Sequence, residues 1–200
     1  MGTERILIDK KTLKKRIKEL AGEITEDYKG KEPVLVCILK GAVFFFTDLA
    51  RRIDLECELD FMKVSSYEGT ESTGELNYQL DITTDIKGRD VIVVEDIIDT
   101  GNTLKKLYKH LEEKEPNSIR LCVLLDKPKG REDKEEKDDV KPDYTAFVIP
   151  KRFVIGYGLD YDQKYRNRPT VNCLVEDDDK DLESDVENIK KQLVKTKKRK

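Results

Sequence analysis

No run in this 200-residue chain approaches the roughly 20 consecutive apolar residues needed to cross a bilayer, and the opening MGTERILIDKK lacks the apolar core of a secretory signal. Those two absences lead us to expect a cytoplasmic protein with no membrane contact. Gly2 opens no myristoylation site, because Ile6 stands where that pattern needs Ser or Thr. Cysteine is sparse: Cys37, Cys57, Cys122 and Cys173 lie far apart in apolar or strand-like runs, with no CxxC pair and no metal-ligand spacing. Reduced, buried thiols are the expectation. The single histidine, His110, falls on a predicted helix, is expected to be exposed, and is assigned no catalytic role. An excess of either charge is also missing. The 39 basic and 42 acidic residues leave a net charge of -3, which gives no general field for polyanions. Nucleic acid is therefore not an expected partner, and any phosphate binding must be local.

What is present is organised. The chain has the length of one compact domain, and with 37% hydrophobic and 40% charged residues its apolar positions must be concentrated into a few segments. After a strand-like Ile6 to Ile8, the residues Leu13, Ile17, Leu20, Ile24 and Tyr28 recur at helical intervals, with Gly30 as a stop. Val34 to Leu39 is a continuous, β-branched run, the pattern of a strand buried on both faces. Gly41 leads into an apolar helix, Ala42 to Ala50. A second strand, turn and helix follow at Val91 to Val94, an acidic turn through Thr100-Gly101, and Thr103 to about Lys114; Ile119 to Leu125 is the next buried run. Strands alternating with helices predict an α/β fold, a mostly parallel twisted sheet flanked by helices with right-handed crossovers. Ligands in such sheets bind beyond the carboxyl ends of the strands.

The segment from 127 to 144 is nearly all charge and reads as a solvated loop. We take residues 1–175 as the domain and 176–200 as a charged tail. In that tail Leu182, Val186, Ile189 and Leu193 make one narrow helical stripe, leaving two readings, a solvated frayed tail or an amphipathic helix. Its terminal KTKKRK is a weak signal for an acidic partner or for import.

Chemistry concentrates in Val91 to Leu104. An apolar strand delivers Glu95 and Asp96, and a turn with Asp99, Thr100, Gly101, Asn102 and Thr103 leads into a helix. Amides at a helix N-terminus, unobstructed at glycine and supplemented by hydroxyls, suit a phosphate dianion. Adjacent carboxylates suit the vicinal hydroxyls of a ribose. The plainer alternative, in which Asp99 and Thr100 only cap a helix, leaves three acids crowded at a strand end with nothing to offset their repulsion.

With these residues in view, the sequence resembles the hypoxanthine-guanine phosphoribosyltransferase family over residues from about 5 to 175. The acidic segment Glu95-Asp96-Ile97-Ile98-Asp99-Thr100-Gly101 looks like that family's phosphoribosyl pyrophosphate signature. Further matches follow in order: Leu39-Lys40-Gly41, Ser65-Ser66-Tyr67, Ser72-Thr73-Gly74, Leu124 to Pro128, and Phe153 to Asp160 followed by Tyr165-Arg166. The resemblance implies the type I phosphoribosyltransferase fold, with a small hood formed by the N- and C-terminal segments. It implies purine salvage, with the 5-phosphoribosyl group passing from phosphoribosyl pyrophosphate to hypoxanthine or guanine to give IMP or GMP and pyrophosphate.

Roles implied by the resemblance follow residue by residue. Glu95 and Asp96 would receive the ribose hydroxyls, and Asp99, Thr100, Gly101, Asn102 and Thr103 the rest of the ribose 5-phosphate. Lys40, Gly41 and Arg166 would hold pyrophosphate, and Ser66 and Tyr67 would ride on a closing loop. Lys127 would donate to the purine O6, Phe153 would stack on the base, Val154 would meet its exocyclic edge, and Asp160 would complete the purine site. Asp99 would exchange the proton at N7. Mg2+ is the implied cofactor, near Glu95, Asp96 and Asp160. Tyr161 and Tyr165 read as packing residues. The family's habit implies a homodimer or homotetramer, to which the apolar Phe44-Phe45-Phe46 helix would contribute unless core packing consumes it. Ala42 departs from the second glycine that many members carry after Lys40-Gly41, and nothing familiar matches the sequence beyond Val175. A regulator that keeps the fold but binds nucleic acid or protein is the competing reading. The joint presence of Asp99, Lys127, Asp160 and Arg166 argues against it.

Overall fold

The structure is a computed structural model and describes residues 3–66, 76–99, 101–128, 140–175 and 181–195. Tyr67, the Ser72-Thr73-Gly74 match, Thr100 and most of the charged 127–144 segment lie outside the described residues, and of Ser66 only the backbone is described.

The chain runs β1 (Thr3–Ile8), α1 (Lys10–Asp27), β2 (Val34–Ile38), α2 (Val43–Ala50), β3 (Glu58–Ser66), β4 (Leu76–Leu80), β5 (Asp90–Ile98), α3 (Asn102–Glu112), β6 (Ser118–Asp126), β7 (Tyr144–Val148), β8 (Val154–Ile155), β9 (Val171–Val175) and α4 (Leu182–Lys195). Six strands form one sheet in the order β4-β3-β2-β5-β6-β7. All neighbours are parallel except β3 and β4, where an antiparallel strand finishes the edge. A separate three-stranded sheet, β1-β9-β8, joins the two ends of the domain, with Thr3 paired to Val175 and Val154 to Cys173. This is the hood.

The buried strands divide their side chains between two core layers. Leu35 and Cys37, Ile92 and Val94, and Cys122 and Leu124 face the layer that holds α1, α2 and the hood. Val34 and Val36, Val91 and Val93, and Leu121 and Val123 face the layer under α3, with Ile82 and Ile86. Period-two alternation in strands covered on both sides explains why these runs are apolar throughout. Helix α1 begins at Asp9, whose side chain accepts from the Thr12 amide at 2.8 Å, and buries Leu13, Ile17, Leu20 and Ile24, the stripe read from the sequence. All four cysteines are free; Cys37, Cys122 and Cys173 are buried and Cys57 partly so.

Three boundaries differ from the sequence reading. Strand β5 does not stop at Val94 but runs through the acids to Ile98, held by pairing of Glu95 with Val123 and of Ile98 with Asp126. The neighbouring strand's ladder thus carries the backbone past the point where apolar patterning ends. Helix α3 starts at Asn102 and ends at Glu112. Residues Leu182–Lys195 are helical, with Leu182, Ile189 and Leu193 buried in the main core and α4 lying against β1 and β7. Packing supplies what a thin stripe alone cannot.

The chain leaves β2 toward β3 on one side, while β5 joins β2 on the other. Crossover connections therefore diverge above the carboxyl ends of β2 and β5, and a crevice opens there. Lys40-Gly41 follows the first of these strands, and the acidic turn ends the second.

Candidate functional site

The crevice is built first by close backbone approach. A Cβ on Gly41 would fall 1.5 Å from Asp96 Oδ2, so any larger residue in the turn after β2 would displace the Asp96 side chain. The Leu39–Lys40 peptide in this turn is cis. On its other side the turn meets the 156–168 loop, which is knitted by Tyr157 N–H donating to the Arg168 carbonyl and Gly158 N–H to that of Arg166, each at 2.9 Å.

Side chains from the two loops converge. Arg166 Nη1 donates to the Gly158 carbonyl at 2.8 Å, and Nη2 lies 2.7 Å from Asp160 Oδ1. Lys40 Nζ donates to Gln163 Oε1 at 3.3 Å, and Arg166 Nη2 reaches the same oxygen at 3.4 Å. Arg166 Nε is buried without a hydrogen-bond partner. Two cations are thereby held together by one shared amide oxygen, with a carboxylate on Arg166, an arrangement suited to a polyanion. Gln163, which tethers both cations, was not singled out in the sequence. It sits between the Asp160 and Tyr165-Arg166 matches at a positive φ of 60°, and no residue pattern marks it.

Glu95 and Asp96 sit in β5 facing this crevice. Burial, then the charge of Asp96, pushes the Glu95 carboxyl well above the usual carboxylate range. Burial also raises Asp96, against the opposing pull of a hydrogen bond with Glu95 and of the Ile97 amide, which donates to Asp96 Oδ1 at 2.6 Å. Glu95 Oε2 is buried with no hydrogen-bond partner. Such a pair, costly in the ligand-free state, invites hydroxyl donors or a cation. Beside it Gly101, at φ 74°, starts α3 with no side-chain cap. The first-turn amides of a helix have no intrahelical acceptor, and here they border a cavity of about 230 Å³ lined by Ile38, Glu95, Asp96, Asp99, Asn102 and Thr103 among others.

Farther along the sheet edge, Lys127 follows β6 and is only 9% exposed, its amide donating to the Ile98 carbonyl at 3.0 Å. It is not the surface lysine that the isolated residue would suggest. Lys127 Nζ lies 3.7 Å from Asp99 Oδ2. Across from them, Val154 is buried in β8 while Phe153 remains 52% exposed, its ring 5.6 Å from that of Tyr161 in an edge-to-face pair. The exposed ring of Phe153 is available as a stacking face, and the buried Lys127 as a donor. Tyr161, read as a packing residue, is instead 45% exposed. His110 departs from expectation too: it is partly buried, with Nε2 2.9 Å from Asp81 Oδ2 and its ring stacked on Tyr78.

Among the described residues no group of three or more His, Cys, Asp or Glu side chains forms a metal cage. Asp160 pairs with Arg166 and with the Gln163 amide instead of joining Glu95 and Asp96. That donor set still fits magnesium, which keeps most of its water and takes one or two carboxylates together with substrate phosphates.

The phosphoribosyl transferase domain model matches residues 5–162. Over 173 residues the chain is 47% identical to the hypoxanthine-guanine-xanthine phosphoribosyltransferase of Tritrichomonas foetus, covering 86% of this chain and 92% of that one. It is equally identical, over 175 residues, to a hypoxanthine-guanine phosphoribosyltransferase of Streptococcus pneumoniae, with 87% and 94% covered. A hypoxanthine phosphoribosyltransferase crystal structure from Staphylococcus aureus superposes with a TM-score of 0.79 at 43% identity, covering 86% and 91% of the two chains. Fold, crevice and sequence thus agree, and the chain belongs to the hypoxanthine-guanine phosphoribosyltransferase family.

Proposed function

We propose that this protein catalyses purine salvage, transferring the 5-phosphoribosyl group of phosphoribosyl pyrophosphate to hypoxanthine or guanine and releasing IMP or GMP and pyrophosphate. The observation that carries the base assignment is the 3.7 Å approach of Lys127 Nζ to Asp99 Oδ2. In a 6-oxopurine, N7 and O6 share one edge of the ring. A donor and an acceptor side by side answer that edge: Lys127 donates to O6 and Asp99 takes the N7 proton. Adenine presents an amino group where O6 would be, and it meets a donor with a donor.

The remaining roles follow from chemistry. Glu95 and Asp96 accept from the ribose 2′- and 3′-hydroxyls, relieving the buried pair. The α3 amine-side turn, from Thr100 to Thr103, cradles the 5-phosphate. Lys40, Gly41 and Arg166 take the pyrophosphate, so that Asp160 and Gln163 position Arg166 before substrate arrives. Phe153 stacks on the base, Val154 meets its exocyclic edge, and Ser66 with Tyr67 belong to a segment that closes over the substrates and excludes water. N9 of the base then bonds to C1′ as the C1′–oxygen bond to pyrophosphate breaks, and the N7 proton passes to Asp99. Lys40 and Arg166 stabilise the charge that grows on the leaving group. Magnesium, held near Glu95, Asp96 and Asp160 with substrate oxygens, supplies further charge neutralisation.

The protein works in the cytoplasm as a homodimer or homotetramer in this reading, and exposed Phe44 is one apolar contribution to such an interface. No described helix is long and apolar enough to cross a membrane. Incubation with phosphoribosyl pyrophosphate, magnesium and each of hypoxanthine, guanine, xanthine and adenine tests the assignment. Hypoxanthine and guanine should yield nucleotide and adenine none; turnover of adenine at the guanine rate would overturn the role of Lys127.

A further inference from the structure

Helix α4 grips the segment that feeds the base-stacking residue. Strand β7 is the outer strand of the main sheet, bonded to β6 on one side only, and its last residue, Val148, turns a free backbone edge outward. The Gln192 side chain closes that edge. Its Oε1 accepts from Val148 N–H at 3.0 Å, and its Nε2 donates to the Val148 carbonyl at 2.8 Å. A side-chain amide here replaces the next strand. Four residues on, Arg152 Nε lies 2.5 Å from Asp185 Oδ2 on the same helix, with both side chains largely buried. Between these two ties Ile149 is buried in the same core layer as Leu182, Ile189 and Leu193 of α4, and its amide donates to the Asp126 carbonyl beside Lys127 at 2.9 Å.

Residues 148–152 are therefore fixed at both ends by α4 and in the middle by the strand that delivers Lys127. The next residues are Phe153 and Val154. We infer that Gln192 and Asp185 are positioning residues for the purine wall: they hold the 148–152 segment so that Phe153 stands at stacking distance from a base bonded to Lys127. This rests on the purine-transfer reading above. The pyrophosphate loops, at Lys40 and Arg166, take no direct contact from either residue in the bonds described, so the effect should be confined to the base.

Loosening a group that orients a substrate costs about tenfold or more even when the mutation is remote from the chemistry. The expected result for Gln192→Ala, Asp185→Ala and their combination is a KM for guanine raised about tenfold in the double variant, with the KM for phosphoribosyl pyrophosphate unchanged. Asp185→Glu, which can still reach Arg152, should recover most of the guanine KM. Lys191→Ala, whose partner is Glu187 on the exposed face, should behave as wild type. A variant that merely unfolds in part loses kcat in proportion to the inactive fraction and leaves both KM values alone. Unchanged guanine KM in the double variant, or equal rises in both KM values, would overturn the inference. A wild-type protein that transfers nothing to guanine would instead overturn the functional reading on which it stands.

Discussion

A Cβ on Gly158 would sit 1.8 Å from the carbonyl oxygen of Gly41, and the residue's φ of 107° is closed to other side chains in any case. The two loops that carry Lys40 and Arg166 are therefore in backbone contact through a pair of glycines. Gly158→Ala should cost about 3 kcal/mol or more of stability, since neither backbone can yield without moving a loop. Gly22→Ala, in the middle of α1 with nothing within 4 Å of the added carbon, should instead stabilise by about 0.5–1 kcal/mol. Urea denaturation of both variants measures the contrast.

Stability and activity are opposed at Glu95. Its carboxyl is buried beside Asp96 with Oε2 lacking a hydrogen-bond partner, so Glu95→Gln should raise the stability of the ligand-free protein by about 1 kcal/mol. The same change removes the acceptor proposed for a ribose hydroxyl and should raise the KM for phosphoribosyl pyrophosphate roughly tenfold. Melting and steady-state kinetics on one preparation should move in opposite directions.

Asp99→Asn tests the proton transfer. The amide keeps the size of the side chain and accepts no proton from N7, so kcat should fall by about 100-fold or more while guanine still binds. Single-turnover measurements should locate the loss in the chemical step.

Asp60 provides a pH-dependent prediction away from the site. Burial pushes its carboxyl up, but the Thr84, Phe61 and Thr83 amides, at 2.7 to 2.8 Å, prevail and hold it below the usual range. A depressed carboxyl stabilises the fold above the ordinary aspartate pKa and loses that contribution as the pH falls through its folded value. Asp60→Asn should therefore cost about 1–3 kcal/mol at pH 7. The gap between variant and wild type should close as denaturation is repeated at decreasing pH below 3.8.

Chelation should abolish transfer from phosphoribosyl pyrophosphate, and excess magnesium should restore it, with circular dichroism unchanged throughout. Loss of folded signal on chelation would mean a structural metal, contrary to a donor set of a few carboxylates completed by substrate oxygens.

Local patterning carried much of the architecture. Leu13, Ile17, Leu20, Ile24 and Tyr28 were legible as one buried stripe because a helix repeats every few residues, and all five are buried. Strand β5 runs to Ile98 although the apolar run is broken after Val94 by two acids, because the hydrogen-bond ladder to β6 continues past them. Residues of the site were legible where they form contiguous motifs, such as Glu95 to Thr103. Gln163 and Gln192 were not, since each matters through a partner remote in sequence, Lys40 in one case and Val148 in the other. The contact between Gly158 and Gly41 is of the same kind: spacing along a chain says nothing about which two turns will touch.

The pairing of Thr3 with Val175 and of Val154 with Cys173 has a consequence for biosynthesis. Domains tend to fold from the N-terminus as the ribosome releases them, yet here the first strand has no partner until the ninth emerges. The six-stranded sheet can assemble while the nascent polypeptide is still growing, whereas the three-stranded hood must wait until Val175 has left the ribosome.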